Sequence, residues 1–244
     1  MYEIKVFSNL IELSKAAADI FMDVALAAVE ERGRFCVCLS GGSTPRQTYA
    51  GLAEDPFRSN VPWNNVHAFW GDERCVPPNH PDNLYGMALE LMLSKVPIPK
   101  DHLHRIRGEA ENPQNAAVEY EEMLKTFFNL KSDTLPRFDL VFLGMGADGH
   151  TASLFPDTDG VKETRRMVIA NYVPKLKAYR LSLTLPVINN ASLVVFLVAG
   201  EQKATALKSV LNEREKRRSF PAGMVNPQNG RLVWLIDQAA ASLL

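Results

Sequence analysis

Short apolar runs alternate along this chain with segments of helical periodicity, and this alternation limits the possible folds more than any other feature. Segments with strand character occupy residues 35–39, 66–70, 138–143, 180–185, 193–199 and 232–236, and helical segments occupy 9–32, 47–52, 83–95, 113–129 and a stretch from about 201. Strands that are separated by helices pair in parallel through right-handed crossovers. Long apolar runs indicate strands that are covered on both faces. The pattern predicts one three-layer α/β/α domain over residues 1–244, with a mostly parallel, Rossmann-like sheet.

Composition excludes several other classes of protein. The chain has 27 basic and 28 acidic residues and a net charge of −1, without the basic excess of a nucleic-acid binder. It has no apolar stretch long enough to span a membrane, and its first ten residues lack the apolar core of a signal peptide, which favours a cytoplasmic location. Three cysteines fit no complete disulfide framework, so we expect Cys36 and Cys38 to be reduced on a strand and Cys75 to be reduced in a loop.

The first of three polar, glycine-containing segments follows the predicted strand 35–39 and reads Ser-Gly-Gly-Ser-Thr-Pro at 40–45. Gly41 and Gly42 let the backbone approach a ligand, Ser43 and Thr44 add hydroxyls, and the next helix would direct its first N–H groups outward. Such a turn can bind phosphate without many cations. The alternative is a plain strand-to-helix turn with Thr44 as the N-cap. The segment is not a Walker P-loop, because it lacks the Gly-Lys-Ser/Thr ending.

The second segment, Gly-Asp-Glu-Arg at 71–74, follows the predicted strand 66–70. Its charges could simply be solvated on the surface. In the functional interpretation, Asp72 accepts hydrogen bonds from hydroxyls and Arg74 stabilises an oxygen anion. Because ligands of open parallel sheets bind beyond the carboxyl ends of the strands, we expect this segment to share a cleft with the first.

The third segment, at 144–149, matches the Gly-x-Gly-x-x-Gly pattern of dinucleotide-binding turns. We reject that interpretation, because Asp148 would oppose a pyrophosphate, Pro156 leaves little room for a helix, and no acidic residue stands between positions 163 and 201 to hold a ribose. Asp148 and His150 instead place a carboxylate beside an imidazole that can accept a proton near neutral pH. A single histidine after a strand is often structural, but the neighbouring aspartate and glycines favour a functional pair.

The sequence predicts neither a metal nor a cofactor. The remaining histidines are scattered, and the chain has no His-Glu-x-x-His motif and no pair of cysteines at zinc-ligand spacing. A Gly-x-Ser-x-Gly nucleophile turn is also absent. Any hydrolysis would therefore use an activated water. The mixed-sign run at 213–218 predicts a solvated helix end.

The three segments, in this order, resemble the 6-phosphogluconolactonases of the glucosamine-6-phosphate deaminase/6-phosphogluconolactonase family. The matching stretches are LSGGSTPRQTY at 39–49, FWGDERCVPP at 69–78, FDLVFLGMGADGHTASLFP at 138–156, RLSLTLPVINNA at 180–191 and VVFLVAGEQKA at 194–204. The related deaminases usually continue from Gly-Asp-Gly-His toward Asn-Glu-Pro, whereas this chain reads Ser-Leu-Phe-Pro at 153–156. This difference favours the lactonase branch. The resemblance implies a fold like that of the deaminases and ribose-5-phosphate isomerase.

The resemblance also implies an activity, which is hydrolysis of 6-phospho-D-glucono-1,5-lactone to 6-phospho-D-gluconate in the oxidative pentose phosphate pathway. His150 would be the general base, Asp148 or Asp72 would orient it or bind substrate hydroxyls, and Arg74 would stabilise the oxyanion. The phosphate-binding residues would be Gly41, Gly42, Ser43, Thr44, Arg180, Lys203 and, by its offset from the arginine, Lys175, with Lys177 as a competitor.

Two other functions remain open at this point. One is deamination of an amino-sugar phosphate in the same pocket. The other is non-catalytic sensing of a sugar phosphate, although such modules usually accompany a DNA-binding segment and the first predicted helix begins near residue 9. We expect a small-molecule sugar-phosphate lactone as the partner, no nucleic acid, no membrane, and a monomer or weak dimer.

Overall fold

A parallel sheet organises the computed structural model, which describes residues 2–213 and 217–244. The described strands are β1 Glu3–Phe7, β2 Phe35–Leu39, β3 Val66–Trp70, β4 Asp72–Arg74, β5 Leu103–His104, β6 Leu140–Leu143, β7 Val168–Val173, β8 Ala178–Leu183, β9 Leu193–Val198 and β10 Arg231–Asp237. Seven of them form this sheet in the order β1–β10–β9–β6–β2–β3–β5, and the other three form a separate antiparallel sheet in the order β4–β8–β7. The predicted α/β fold with a mostly parallel sheet is confirmed.

The helices connect these strands and cover them. They are α1 Leu10–Arg32, α2 Ser43–Leu52, α3 Phe57–Asn60, α4 Leu84–Ala88, α5 Pro113–Phe127, α6 Leu185–Ile188, α7 Ala204–Asn212 and α8 Pro221–Met224. Helix α1 packs against α2, β2 and β10, whereas α5 packs against β7 and β8 of the second sheet. No helix in the described ranges is long and apolar enough to cross a membrane.

Helix α1 illustrates how local sequence sets these boundaries. The Asn9 side chain accepts a hydrogen bond from the Glu12 amide at its start, and Gly33 ends it in the left-handed conformation with φ 71°. Between these caps, Leu13, Ala17 and Phe21 recur at helical spacing and are buried. The apolar stripe therefore fixes the helix on the sheet.

Several predicted boundaries were wrong. The helix predicted at 83–95 is α-helical only over Leu84–Ala88 and continues as a π-helical turn over Leu89–Leu93. The predicted strand 180–185 is β8, which pairs antiparallel with β4 and β7 rather than joining the parallel sheet. The segment at 71–74, predicted as a loop, contains β4. The charged run at 213–218 lies partly outside the described residues, because 214–216 are not described.

The cysteines occupy the environments that the sequence predicts. Cys36 and Cys38 are buried on β2, Cys75 is half-buried after β4, and all three are free thiols. Burial raises the pKa of Cys36 to about 12 and also raises the pKa of Cys38. Both strand thiols are therefore protonated packing residues.

Candidate active site

A cleft opens at the carboxyl ends of β2, β3 and β6, which are neighbours in the sheet. Parallel pairing brings these ends to one edge, so the three polar segments meet there. The cleft is lined by residues 40–45, Asp72, Arg74, Leu84, residues 144–146, His150, Ala152 and Lys203. Three of the predicted site residues, Asp148, Lys175 and Arg180, are not among these lining residues.

The start of α2 presents open backbone amides to this cleft. Gly42 is the N-cap with φ 99°, and no side chain caps the helix. The prediction of Thr44 as the N-cap was wrong, because the positive φ of Gly42 starts the helix two residues earlier. The first N–H groups of a helix have no partner within it, so those of α2 are available to an anion.

Two further contacts hold this turn in place. The Ser40 amide donates to the Tyr49 hydroxyl at 3.0 Å, and that hydroxyl donates to the Ser40 carbonyl at 2.8 Å. Leu84 packs against Gly41 so closely that a side chain at Gly41 would overlap it. Ser40 Oγ is buried and has no hydrogen-bond partner among the described residues. Leu84 was not predicted as a cleft residue, because nothing in its local sequence pattern marks it as one.

Lys203 brings a cation to the same cleft from a different strand. It ends the 3-10 turn Glu201–Lys203, which follows β9 and which the sequence predicted as the start of a helix. The carboxylate of Asp237 anchors this turn by accepting hydrogen bonds from the Gly200 amide at 3.0 and 3.1 Å. Burial lowers the pKa of Lys203. A half-buried ammonium beside an open helix N-terminus forms an environment suited to an anion.

Strand β4 directs alternate side chains to opposite faces. Asp72 and Arg74 line the cleft, whereas Glu73 is fully buried behind it. Pairing of β4 with β8 sets Arg74 opposite Arg180. Burial and the charge of Arg74 lower the pKa of Arg180. The two guanidiniums therefore concentrate positive charge at this side of the site.

Glu73 has a structural role that the sequence did not reveal. Its carboxylate accepts hydrogen bonds from the amides of Leu84 at 2.8 Å, Tyr85 at 2.9 Å and Arg74 at 2.8 Å. Burial raises the pKa of Glu73 to about 7, against the effect of these donors. The residue ties β4 to the N-terminus of α4 and so fixes Leu84 against the glycine turn.

His150 also lines the cleft. Its Nδ1 lies 2.5 Å from Asp148 Oδ1. An ionised carboxylate can only accept a hydrogen bond, so Nδ1 carries the proton and Nε2 keeps a free lone pair. Phe155 is buried and stacks on the imidazole with ring centroids 4.1 Å apart.

The surroundings of His150 keep its imidazole neutral. Burial lowers its pKa to about 4, the charges of Lys203, Arg74 and Arg180 act in the same direction, and Asp72 opposes them. At neutral pH the ring is therefore an unprotonated base held in one orientation. The arrangement can take a proton from a water.

The two candidate lysines of the β7–β8 connection differ in what they reach. Lys175 contacts Asp148 Oδ2, and its Nζ lies 4.5 Å from the centroid of the Phe155 ring. Lys177 ends the 3-10 turn Pro174–Leu176 in the left-handed conformation, with φ 48°. Lys175 is thus the one that meets the His150–Asp148 pair, through Asp148, and it does not line the cleft.

No group of three or more possible metal ligands is arranged around a common point within the described ranges. The chemistry that the site offers is an open helix N-terminus with a lysine, and a neutral histidine with a carboxylate and an arginine, all in one cleft. Such a site can anchor an anionic group and activate a water beside it.

Comparison with known proteins places the chain in one family. The model of the family described as "Glucosamine-6-phosphate isomerases/6-phosphogluconolactonase" matches residues 8–234. A 6-phosphogluconolactonase from Synechocystis is 42% identical over 89% of this chain and 88% of its own, and one from Nostoc is 38% identical over 99% and 98%.

Solved structures agree with this assignment. The 6-phosphogluconolactonase of Trypanosoma brucei aligns with a TM-score of 0.88 and 29% identity, covering 100% of this chain and 99% of its own. A monomeric glucosamine-6-phosphate deaminase shares the fold, with a TM-score of 0.80 and 22% identity over 99% of this chain and 100% of its own. The chain therefore belongs to the glucosamine-6-phosphate isomerase/6-phosphogluconolactonase family.

Proposed function

We propose that this chain is a 6-phosphogluconolactonase, which hydrolyses 6-phospho-D-glucono-1,5-lactone to 6-phospho-D-gluconate in the second step of the oxidative pentose phosphate pathway. The observation that carries the proposal is a neutral, carboxylate-held His150 in the same cleft as the open N-terminus of α2. Relatives at 38% and 42% identity that bear this name support it.

The substrate phosphate binds at the glycine turn. The amides at the start of α2 donate to its oxygens, and the hydroxyls of Ser43 and Thr44 add further donors. Lys203 supplies a point charge, and Arg180, the register partner of Arg74 on β8, adds positive potential. Anchoring the phosphate fixes the position of the lactone in the cleft, so that its ring lies beside His150.

The hydrolytic step begins when Nε2 of His150 takes a proton from a water molecule. As the proton leaves, the oxygen of this water forms a bond to C1 of the lactone. Arg74 stabilises the negative charge that develops on the carbonyl oxygen. The bond between C1 and the ring oxygen then breaks, and the ring oxygen takes the proton from Nε2. Asp148 holds the imidazole through Nδ1 and stabilises its transient positive charge, and Asp72 binds substrate hydroxyls while adding negative potential.

The environment of His150 favours hydrolysis over amino-sugar deamination. The deaminases resemble this segment but carry a glutamate in the Asn-Glu-Pro stretch that they use beside their histidine. In this chain Phe155 precedes the proline and stacks on the imidazole. An aromatic ring cannot supply the second proton-transfer group, so the site supports a single base.

We also propose that residues 1–244 act as one sugar-phosphate hydrolase domain in the cytoplasm, as a monomer or weak dimer. The near-zero net charge of −1 supports a partner that is a small molecule rather than a nucleic acid.

A coupled assay tests the activity. The lactone is generated in place from glucose 6-phosphate, and formation of 6-phosphogluconate is compared with and without the protein, because the lactone also opens unaided. We expect acceleration above the blank by the wild-type chain and its loss in His150→Asn. Release of ammonia from glucosamine 6-phosphate would support the deaminase instead, and ligand binding without consumption would support the sensor.

A further inference from the structure

Asp72 lines the cleft and also takes part in a buried hydrogen-bond network. Ser153 Oγ donates a hydrogen bond of 2.7 Å to Asp72 Oδ2. The two side chains lie 81 positions apart in sequence, and Ser153 is only 2% exposed. No described residue donates a hydrogen bond to Oδ1, which leaves that oxygen available to a ligand.

The backbone of Ser153 is held by hydrogen bonds at both its amide and its carbonyl. Its amide donates to Ser182 Oγ at 3.2 Å, and its carbonyl accepts from Asn171 Nδ2 at 2.9 Å. Asn171 Nδ2 also donates to Thr158 Oγ1 at 3.0 Å. These partners are all buried, so the serine hydroxyl has little freedom to move.

The network joins the strand that carries Asp72 to the segment that carries His150, and the proposed reaction needs both side chains in fixed relative positions. Ser182 and Asn171 lie on β8 and β7 of the second sheet, and Ser182 is the register partner of Asp72 across β4 and β8. Ser153 lies on the segment that follows His150. A single hydroxyl therefore links the strand that carries Asp72 to the segment that carries His150.

We propose that Ser153 is a positioning residue for Asp72. Its hydroxyl selects one rotamer of the carboxylate and turns Oδ1 toward the cleft, where it meets substrate hydroxyls and lies close enough to His150 to stabilise the imidazolium. The serine does not touch the substrate. This inference rests on the proposed lactonase activity and on the role given there to Asp72.

A double-mutant cycle tests the proposal, because a residue that acts through Asp72 has nothing to act on once Asp72 is removed. Ser153→Ala is expected to lower kcat/KM about 10-fold or more, the typical effect of losing a hydrogen bond to a charged group. In an Asp72→Ala background the same change is expected to cost less than about 2-fold. An equal loss in both backgrounds, or a Ser153→Ala enzyme as active as wild type, would overturn the proposal.

A matched control separates positioning from general damage to the fold. Thr184 is fully buried, and its hydroxyl donates to the Arg166 carbonyl at 2.8 Å without contacting Asp72. Thr184→Val removes a buried hydroxyl of similar structural weight, so we expect it to lower the melting temperature while kcat/KM stays within about 2-fold of wild type.

The cycle is repeated on the Kd for 6-phosphogluconate, which requires no turnover. Ser153→Ala is expected to weaken binding only where Asp72 is present. If the wild type failed to hydrolyse the lactone, the proposed function would fall, and the binding cycle would still decide whether Ser153 positions Asp72. Additive losses of affinity would contradict the positioning role whatever the activity.

Discussion

Turnover by this protein is expected to survive mild acid far better than an ordinary histidine base would allow. The perturbation is a change of pH from 7.5 to 5.5. Burial lowers the pKa of His150 to about 4, supported by the charges of Lys203, Arg74 and Arg180. The stacked Phe155 ring covers one face of the imidazole and reduces the contact with water that would stabilise an imidazolium.

The magnitude follows from the titration curve. With a pKa of about 4, His150 is about 97% neutral at pH 5.5, whereas an imidazole with the unperturbed value of about 6.5 is only about 9% neutral there. If deprotonated His150 is the base and the bound lactone leaves its pKa unchanged, kcat at pH 5.5 stays within about 2-fold of its value at pH 7.5. An unperturbed imidazole would instead lose about 10-fold over the same interval.

The assay measures kcat at saturating lactone with the uncatalysed rate subtracted at each pH. Saturation is needed because the substrate phosphate also titrates, near pH 6 by analogy with phosphorylated side chains, and this changes KM rather than the base. An NMR titration of the His150 ring, assigned with His150→Asn, gives the midpoint directly. A midpoint near 6.5 together with a 10-fold loss of kcat would refute the argument from burial.

Three substitutions test other parts of the site. His150→Ala is expected to lower kcat by about 10² to 10⁴ with KM little changed, and near-normal turnover in the coupled assay would contradict its role as base. Lys203→Met removes a phosphate-binding charge, so the Kd for 6-phosphogluconate should rise about 10-fold, and an unchanged Kd by calorimetry would argue against anchoring there. Tyr49→Phe deletes the hydroxyl that joins the Ser40 amide and carbonyl, and denaturant unfolding should show a loss of about 1 to 2 kcal/mol with a higher KM; unaltered stability would show that these bonds contribute nothing.

The parallel sheet was predictable because its strands can be recognised from their own local sequence, as short apolar runs. Strands β2 and β3 have the predicted bounds, since each is a short, mainly apolar and mainly buried run that is followed by serine or glycine. Parallel strands end at one edge, so the meeting of the polar segments there also followed from the sequence.

The second sheet was not predictable in the same way. Strand β4 consists of Asp72, Glu73 and Arg74, which show no apolar alternation, and its partner β8 is more than a hundred positions away. The apolar residues of β8 predict a strand but do not say which sheet it joins. Pairing between distant segments depends on tertiary contacts that no local window contains.

Contacts within the site were predictable when the two residues are close in sequence and were not predictable when they are far apart. The Asp148–His150 pair was predictable, because a single residue separates the two along the chain. The link from Ser153 to Asp72 joins residues 81 positions apart, and neither has a local signal for the other. The choice between Lys175 and Lys177 likewise required the geometry of the turn that places Lys175 against Asp148.

A crystal structure with bound 6-phosphogluconate tests the central claim most directly. The account predicts phosphoryl oxygens within about 3 Å of the amides at the start of α2, beside Lys203, and the product carboxylate within about 3 Å of His150 Nε2. A product bound in the reverse orientation, or one that leaves either the glycine turn or His150 without a contact, would contradict it.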